Sequence, residues 1–269
     1  MVVDDGVSLH VRQWPEGDQT PFLLVHGLAS NCCTWEGVAT RLHELGHPVA
    51  AVDQRGHGQS DKPDTGYEFP TLCRDLVRVL DALGFERPVA AGQSFGGNVV
   101  LDLASRAPDR VGAIVGVDGG TIELRRRWPR WEDCAEILAP PPLAGTPRRD
   151  VEAMIRSFHP EWSDDGVQWT MANFETRPDG TVRPWLSRER HMRILRALWE
   201  HRPSEILPGL RLPVLLVMAD TGDEWAAAKR EEAARAAGAN IRVEWFSPGD
   251  HDLHVQYPRE LAELMHESS

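Results

Sequence analysis

Five short apolar runs do most to limit what this chain can fold into: Phe22–Val25, Pro48–Val52, Pro88–Ala91, Val111–Val117 and Pro213–Met218. Each has the length of a single strand, and most are followed by a stretch with helical spacing of its apolar residues. Those helical stretches run roughly over Thr34–Leu45, Phe69–Leu83, Phe95–Arg106, Glu224–Ala237 and Arg259–His266. A strand-like alternation over Val7–Trp14 precedes the series, and Ile241–Phe246 adds one more run near its end. Parallel neighbours need a crossover, usually a helix, so the order predicts an α/β fold with a mainly parallel sheet and helices on both faces. Ligands on such sheets bind at the carboxyl ends of the strands, so the loops after these runs are where chemistry is expected.

One interval breaks the rhythm. Thr121 to Pro208 separates two strands by far more than a crossover helix requires. It predicts an inserted helical unit over 121–208, dividing the core into 1–120 and 209–269. The insertion carries Trp128, Trp131, Trp162, Trp169, Trp185 and Trp199, six of the ten tryptophans, and a proline run at Pro140–Pro142. Helix-like stretches lie near Arg149–Phe158, Asp165–Asn173 and Ser187–Arg202. The aromatics can form the unit's own core, or roof the strand ends as a lid over an apolar pocket. The run Arg125-Arg126-Arg127 reads as a solvated face, with an anionic substrate as the sharper alternative.

Charge and motifs remove several function classes. With 41 acidic against 29 basic side chains the formal charge is −12, which opposes non-specific binding to nucleic acid or an anionic membrane. The two lysines, Lys62 and Lys229, lie outside any P-loop pattern. The start, MVVDDGVSLHV, has neither a basic nor an apolar leader region, and no apolar window is long enough to span a bilayer, so a soluble, cytoplasmic chain is expected. Cys32, Cys33, Cys73 and Cys134 have no Cys-x-x-Cys spacing and read as reduced structural thiols. No His-Glu-x-x-His or clustered Cys/His spacing points to a metal, and no cofactor is expected.

The stretch Gly92-Gln93-Ser94-Phe95-Gly96 places a serine between glycines after one apolar run and before one helical stretch. That is the pattern of a nucleophile elbow, where glycines permit a sharp strand-to-helix turn with the serine at its tip. A serine hydroxyl needs a base within reach, and histidine has the suitable pKa. Among eleven histidines His251 is best placed, a few residues past the last apolar run, with His254 as the alternative.

Together with these residues, three further segments resemble the α/β-hydrolase superfamily over nearly the whole chain outside the insertion. His26-Gly27-Leu28 is similar to its oxyanion loop, Asp53-Gln54-Arg55-Gly56-His57-Gly58-Gln59-Ser60 to its Asp-x-Arg-Gly-x-Gly-x-Ser turn, and Gly249-Asp250-His251 to its histidine loop. Asp250 departs from the pattern, since glycine more often stands there. The resemblance implies a backbone oxyanion hole from the N–H groups of Leu28 and Phe95, with His26 and His57 in structural roles. It places the acid that orients the histidine after the seventh strand, which favours Asp223. Asp220, leaving the strand directly, and Asp118, after the preceding strand, are the alternatives. A serine rather than an aspartate at the elbow favours acyl chemistry: hydrolysis of an ester or lactone of a small, largely apolar substrate through an acyl-enzyme. A carbon–carbon bond hydrolase of vinylogous diketones would use the same residues, and a binding protein without catalysis could share the fold.

Overall fold

A computed structural model of the chain describes residues 1, 6–222, 224–236 and 238–269. Its strands are β1 (Val11–Trp14), β2 (Phe22–Val25), β3 (Val49–Val52), β4 (Val89–Gln93), β5 (Ala113–Val117), β6 (Phe174–Thr176), β7 (Val182–Pro184), β8 (Val214–Ala219) and β9 (Ile241–Phe246). Seven form one sheet in the order β1-β3-β2-β4-β5-β8-β9, parallel throughout except for β1, which runs antiparallel to β3. The mainly parallel sheet read from the apolar runs is therefore what the chain forms. β1 is shorter than the alternation from Val7 suggested, because the residues before it hold the Asp53–Ser60 turn instead. The His10 N–H donates to Ser60 Oγ at 2.8 Å, and the Asp53 N–H to the His10 carbonyl at 3.0 Å.

The central runs have no polar face because both faces of the sheet are covered. Strand periodicity sends Leu23, Val25, Ala50, Val52 and Ala90 to one side, where they meet Leu72, Leu76, Val79 and Leu80 of α2 (Phe69–Leu83) and Val99 and Leu103 of α3 (Phe95–Arg106). It sends Phe22, Leu24, Val49, Ala51 and Ala91 to the other, against Val38 and Leu42 of α1 (Glu36–Glu44). Leu261 and Met265 of the C-terminal helix (Pro258–His266) complete that second layer.

Between β5 and β8 the chain makes its long excursion. It contains α4 (Leu124–Arg127), α5 (Trp131–Ile137), α6 (Arg148–Phe158), α7 (Asp164–Met171), the antiparallel β6–β7 hairpin, α8 (Arg188–Glu200) and α9 (Pro203–Ile206). The helices α10 (Glu224–Ala236), α11 (Leu253–Gln256) and α12 (Pro258–His266) belong to the core again. The excursion has apolar clusters of its own. Val151, Ile155, Trp162, Val167, Met171 and Val182 gather on Val255 of the core, and Cys134, Leu195 and Trp199 gather with Trp128 and Trp131 against Leu28. Trp162 and Trp199 are buried, whereas Trp185 lines a cleft, so the tryptophans divide between packing and lining. All four cysteines are free thiols. Among the described residues no helix is long and apolar enough to cross a membrane.

Candidate active site

The elbow forms where β4 passes into α3. Ser94 sits at φ 52° and ψ −120°, a conformation that L side chains rarely adopt. A Cβ at Gly92 would collide with the Gly96 carbonyl, so the turn can close only around glycine. Two loops press on the serine. A Cβ at Gly27 would lie 3.2 Å from Ser94 Cβ, and one at Gly119 would lie 2.7 Å from the Ser94 nitrogen. Among the described residues, four other than glycine have positive φ, and three of them, Ala29, Ser94 and Asp118, stand at the ends of β2, β4 and β5 around this point. Such strain clusters where geometry is held for function.

His251 lies in the loop between β9 and α11, tied to the elbow by a bond from Gln93 Nε2 to the His251 carbonyl at 3.1 Å. Its Nδ1 is 2.5 Å from Asp118 Oδ2. Asp118 is almost completely buried and has two further donors: the Ala219 N–H to Oδ1 at 3.1 Å and Lys229 Nζ to Oδ2 at 2.6 Å. Burial pushes its pKa up, but the His251 hydrogen bond and the charges of His251 and Lys229 outweigh that and hold the carboxyl below its usual range. For His251, burial pulls downward while the Asp118 bond and charge pull upward, and the net shift is upward. With Nδ1 taken by the carboxylate, Nε2 is the nitrogen left to handle a proton.

Among the described residues, the carboxylate that meets the His251 ring is therefore Asp118, at the end of β5. Asp223, first choice from the sequence, lies outside the described residues. Asp220 is turned to Arg230 Nη2 at 2.7 Å and accepts from the Gly222 N–H. The sequence favoured the end of β8 by counting residues along it. In three dimensions the His251 ring leans on β5 instead, and Asp118, the third candidate, meets it. His254 is fully buried beside Trp35, with ring centroids 4.7 Å apart and burial driving its pKa down to about 3, so it is the poorer base.

His26 has both ring nitrogens committed to the backbone. Nε2 accepts from the Gln54 N–H at 3.0 Å, which requires Nδ1 to donate to the Gly27 carbonyl at 2.7 Å. This fixes the loop that carries Leu28. His57 donates from Nδ1 to the Arg55 carbonyl at 3.1 Å. Phe95 is the first residue of α3, where helix geometry leaves a backbone N–H without an intrahelical acceptor. Two residues not singled out by the sequence take part in the surroundings. Lys229 meets Asp118, and His159 of the excursion meets Asp250 Oδ2 at 2.5 Å beside His251. The scarcity of lysine was a signal for the first, and the departure at Asp250 for the second.

Next to the loop His26–Ser30 a cleft of about 350 Å³ opens between core and excursion. Ala29, Ser30 and His57 line its core side, and Pro140–Pro142, Phe174, Trp185 and Arg188 the other.

Comparison with known proteins gives a consistent picture. The α/β-hydrolase fold family matches residues 20–148. The 2-(acetamidomethylene)succinate hydrolase of Mesorhizobium japonicum is 28% identical over 242 residues, covering 87% of this chain and 82% of that protein. The non-heme chloroperoxidase of Streptomyces lividans is 32% identical over 116 residues, and there the match spans only 43% of this chain and 42% of the relative. In three dimensions the chain superposes on an E-2-(acetamidomethylene)succinate hydrolase with a TM-score of 0.76 at 24% identity, over 100% of this chain and 97% of that one. The elbow, the sheet order and these likenesses agree that the chain has the α/β-hydrolase fold.

Proposed function

We propose that the chain is a serine hydrolase that cleaves a carboxylic ester or lactone of a small, largely apolar substrate through an acyl-enzyme. The observation that carries this reading is the 2.5 Å contact between His251 Nδ1 and the buried Asp118 carboxylate, in a loop bonded to the residue before Ser94. In this reading His251 Nε2 takes the Ser94 proton as Oγ attacks the carbonyl carbon, and Asp118 steadies the imidazolium that forms. The N–H groups of Leu28 and Phe95 receive the oxyanion, a donor pair of which each member is typically worth a factor of about 100 to 1000 in rate. The leaving alcohol takes the proton back from His251, and water then repeats the sequence on the acyl-enzyme. The excursion acts as a cap, with the cleft beside the oxyanion loop receiving the apolar part of the substrate.

A second reading, cleavage of an acylated amino group on a carboxylate-bearing substrate, is favoured by the likeness to 2-(acetamidomethylene)succinate hydrolase and by Arg183 and Arg188 in the cleft. Turnover of aryl esters, lactones, vinylogous diketones and acylamino dicarboxylates by wild type and by Ser94→Ala separates these. The proposal expects ester or lactone turnover that the substitution reduces to a residual level; undiminished turnover in Ser94→Ala would sink it.

A further inference from the structure

We propose that Lys229 is a positioning residue of this site: its ammonium holds Asp118 under His251 and thereby sets the pH at which the enzyme gains activity. The inference rests on the Ser94–His251–Asp118 reading above. Lys229 Nζ and His251 Nδ1 approach the same atom, Asp118 Oδ2, at 2.6 Å and 2.5 Å. The lysine also donates to the Ala219 carbonyl at 3.3 Å, so it fastens the end of β8 to the end of β5. Its side chain is 16% exposed and that of Asp118 only 1%, so the ion pair is poorly screened by solvent.

Residue type supports a specific role. The chain uses arginine almost everywhere, yet here it has one of its two lysines. A guanidinium fork seeks both oxygens of a carboxylate, and Oδ1 is already taken by the Ala219 N–H. A compact ammonium can occupy the shared oxygen and leave room for the imidazole.

The consequence follows from charge sharing. An imidazolium is stabilised by the carboxylate beside it, and a fixed cation on that same carboxylate weakens the stabilisation. Lys229 accordingly pulls the His251 pKa down while Asp118 and Asp252 pull it up. The other ionisable neighbours are accounted for. Asp250 is paired with His159, burial drives the His254 pKa down to about 3, and His26, whose pKa burial also lowers, is held in its neutral form by accepting from the Gln54 N–H. Glu232 lies one turn beyond Lys229, and burial first, then Asp118, raises its pKa to about 7. With the lysine removed, His251 holds its proton to higher pH and the base is lost earlier on acidification.

The test is kcat/KM for p-nitrophenyl acetate from acidic to alkaline pH in wild type, Lys229→Met, Lys229→Gln and Lys229→Arg. The expected result is an acid limb displaced upward by about one pH unit in Lys229→Met and Lys229→Gln and left in place in Lys229→Arg, which keeps the charge, with a lower alkaline plateau in all three because none holds Asp118 through the shared oxygen as the ammonium does. Should the methionine variant fail to fold, glutamine keeps a donor to Asp118 without the charge and still reports the shift. Profiles of Met and Gln that overlay wild type would overturn the inference while Asp118→Asn and Ser94→Ala still abolish turnover. Full turnover in those last two variants would instead overturn the functional reading beneath it.

Discussion

Asp118 is held at φ 41°, a conformation that costs roughly 1–3 kcal/mol for a residue other than glycine. Its carboxylate compensates by receiving His251, Lys229 and the Ala219 N–H. Replacing it with asparagine leaves a side chain of the same shape that can present an N–H to Nδ1 and select the wrong imidazole tautomer. Asp118→Asn is therefore expected to lower kcat on aryl esters by on the order of 10³–10⁴, whereas Asp220→Asn and Asp223→Asn stay within a few-fold of wild type. Steady-state kinetics of the three variants check this, and a large loss in Asp223→Asn with none in Asp118→Asn would reverse the assignment. The turn at Ser94 and the loop that carries His251 were legible in the sequence because glycines, strand and helix around each leave few alternative local structures. The acid was not. Spacing gives the place of an aspartate along its strand end, but the direction of its carboxylate depends on backbone strain at Asp118 and on a lysine more than a hundred residues away.

The elements repeat this contrast between local and distant information. The helices α2 and α3 have the bounds their apolar spacing predicts, Phe69–Leu83 and Phe95–Arg106, because one face must meet the sheet. The β6–β7 hairpin, with three residues in each strand, offers too few alternations to register as strand, and α4 and α9, of four residues each, too few for a helical period. Arg55 joins the turn after β3 to α2 through a buried two-bond pair with Asp75, at 2.6 Å and 2.7 Å. Breaking such a pair strands a charge away from water. Asp75→Ala is expected to cost about 3–5 kcal/mol of unfolding free energy in urea titrations; a loss below about 1 kcal/mol would mean that Arg55 finds another partner or water. Asp53 anchors the same turn by accepting from the Cys32 and Gln59 N–H groups at 2.7 Å and 2.9 Å and contacting His10. Burial raises its pKa, but these bonds lower it further, so its contribution is present above the ordinary carboxylate value and is lost as pH falls through the depressed one.

Across the molecule, the excursion between β5 and β8 is tied to the core at separate points. Asn31 donates to Asn173 Oδ1 at 2.6 Å and to the Trp169 carbonyl at 3.1 Å, Asn98 contacts His201 Nδ1 at 3.1 Å, and Arg190 donates to Asp64 at 3.0 Å. The His159–Asp250 pair is the tie that titrates. Burial lowers the His159 pKa, but the bond and charge of Asp250 raise it above its ordinary 6.5, while Asp250 ends below its ordinary 3.8. The histidine's contribution is full below 6.5 and disappears as pH rises through its raised value; the aspartate's is full above 3.8 and disappears on strong acidification. Amide exchange in α6 and α7 is thus expected to be slowest in weakly acidic solution and to quicken toward alkaline pH beyond the intrinsic chemical trend. Asp250→Asn should remove that extra dependence, and an unchanged exchange profile in the variant would show the tie to be idle.

The central claim is that Ser94, activated by His251 on Asp118, is the nucleophile. It is tested most directly by treating the folded protein with a fluorophosphonate and locating the adduct by peptide mass analysis. The account predicts one adduct, on Ser94, formed at least about a hundredfold more slowly in Asp118→Asn. Modification elsewhere, or equal labelling rates in the two proteins, would contradict it.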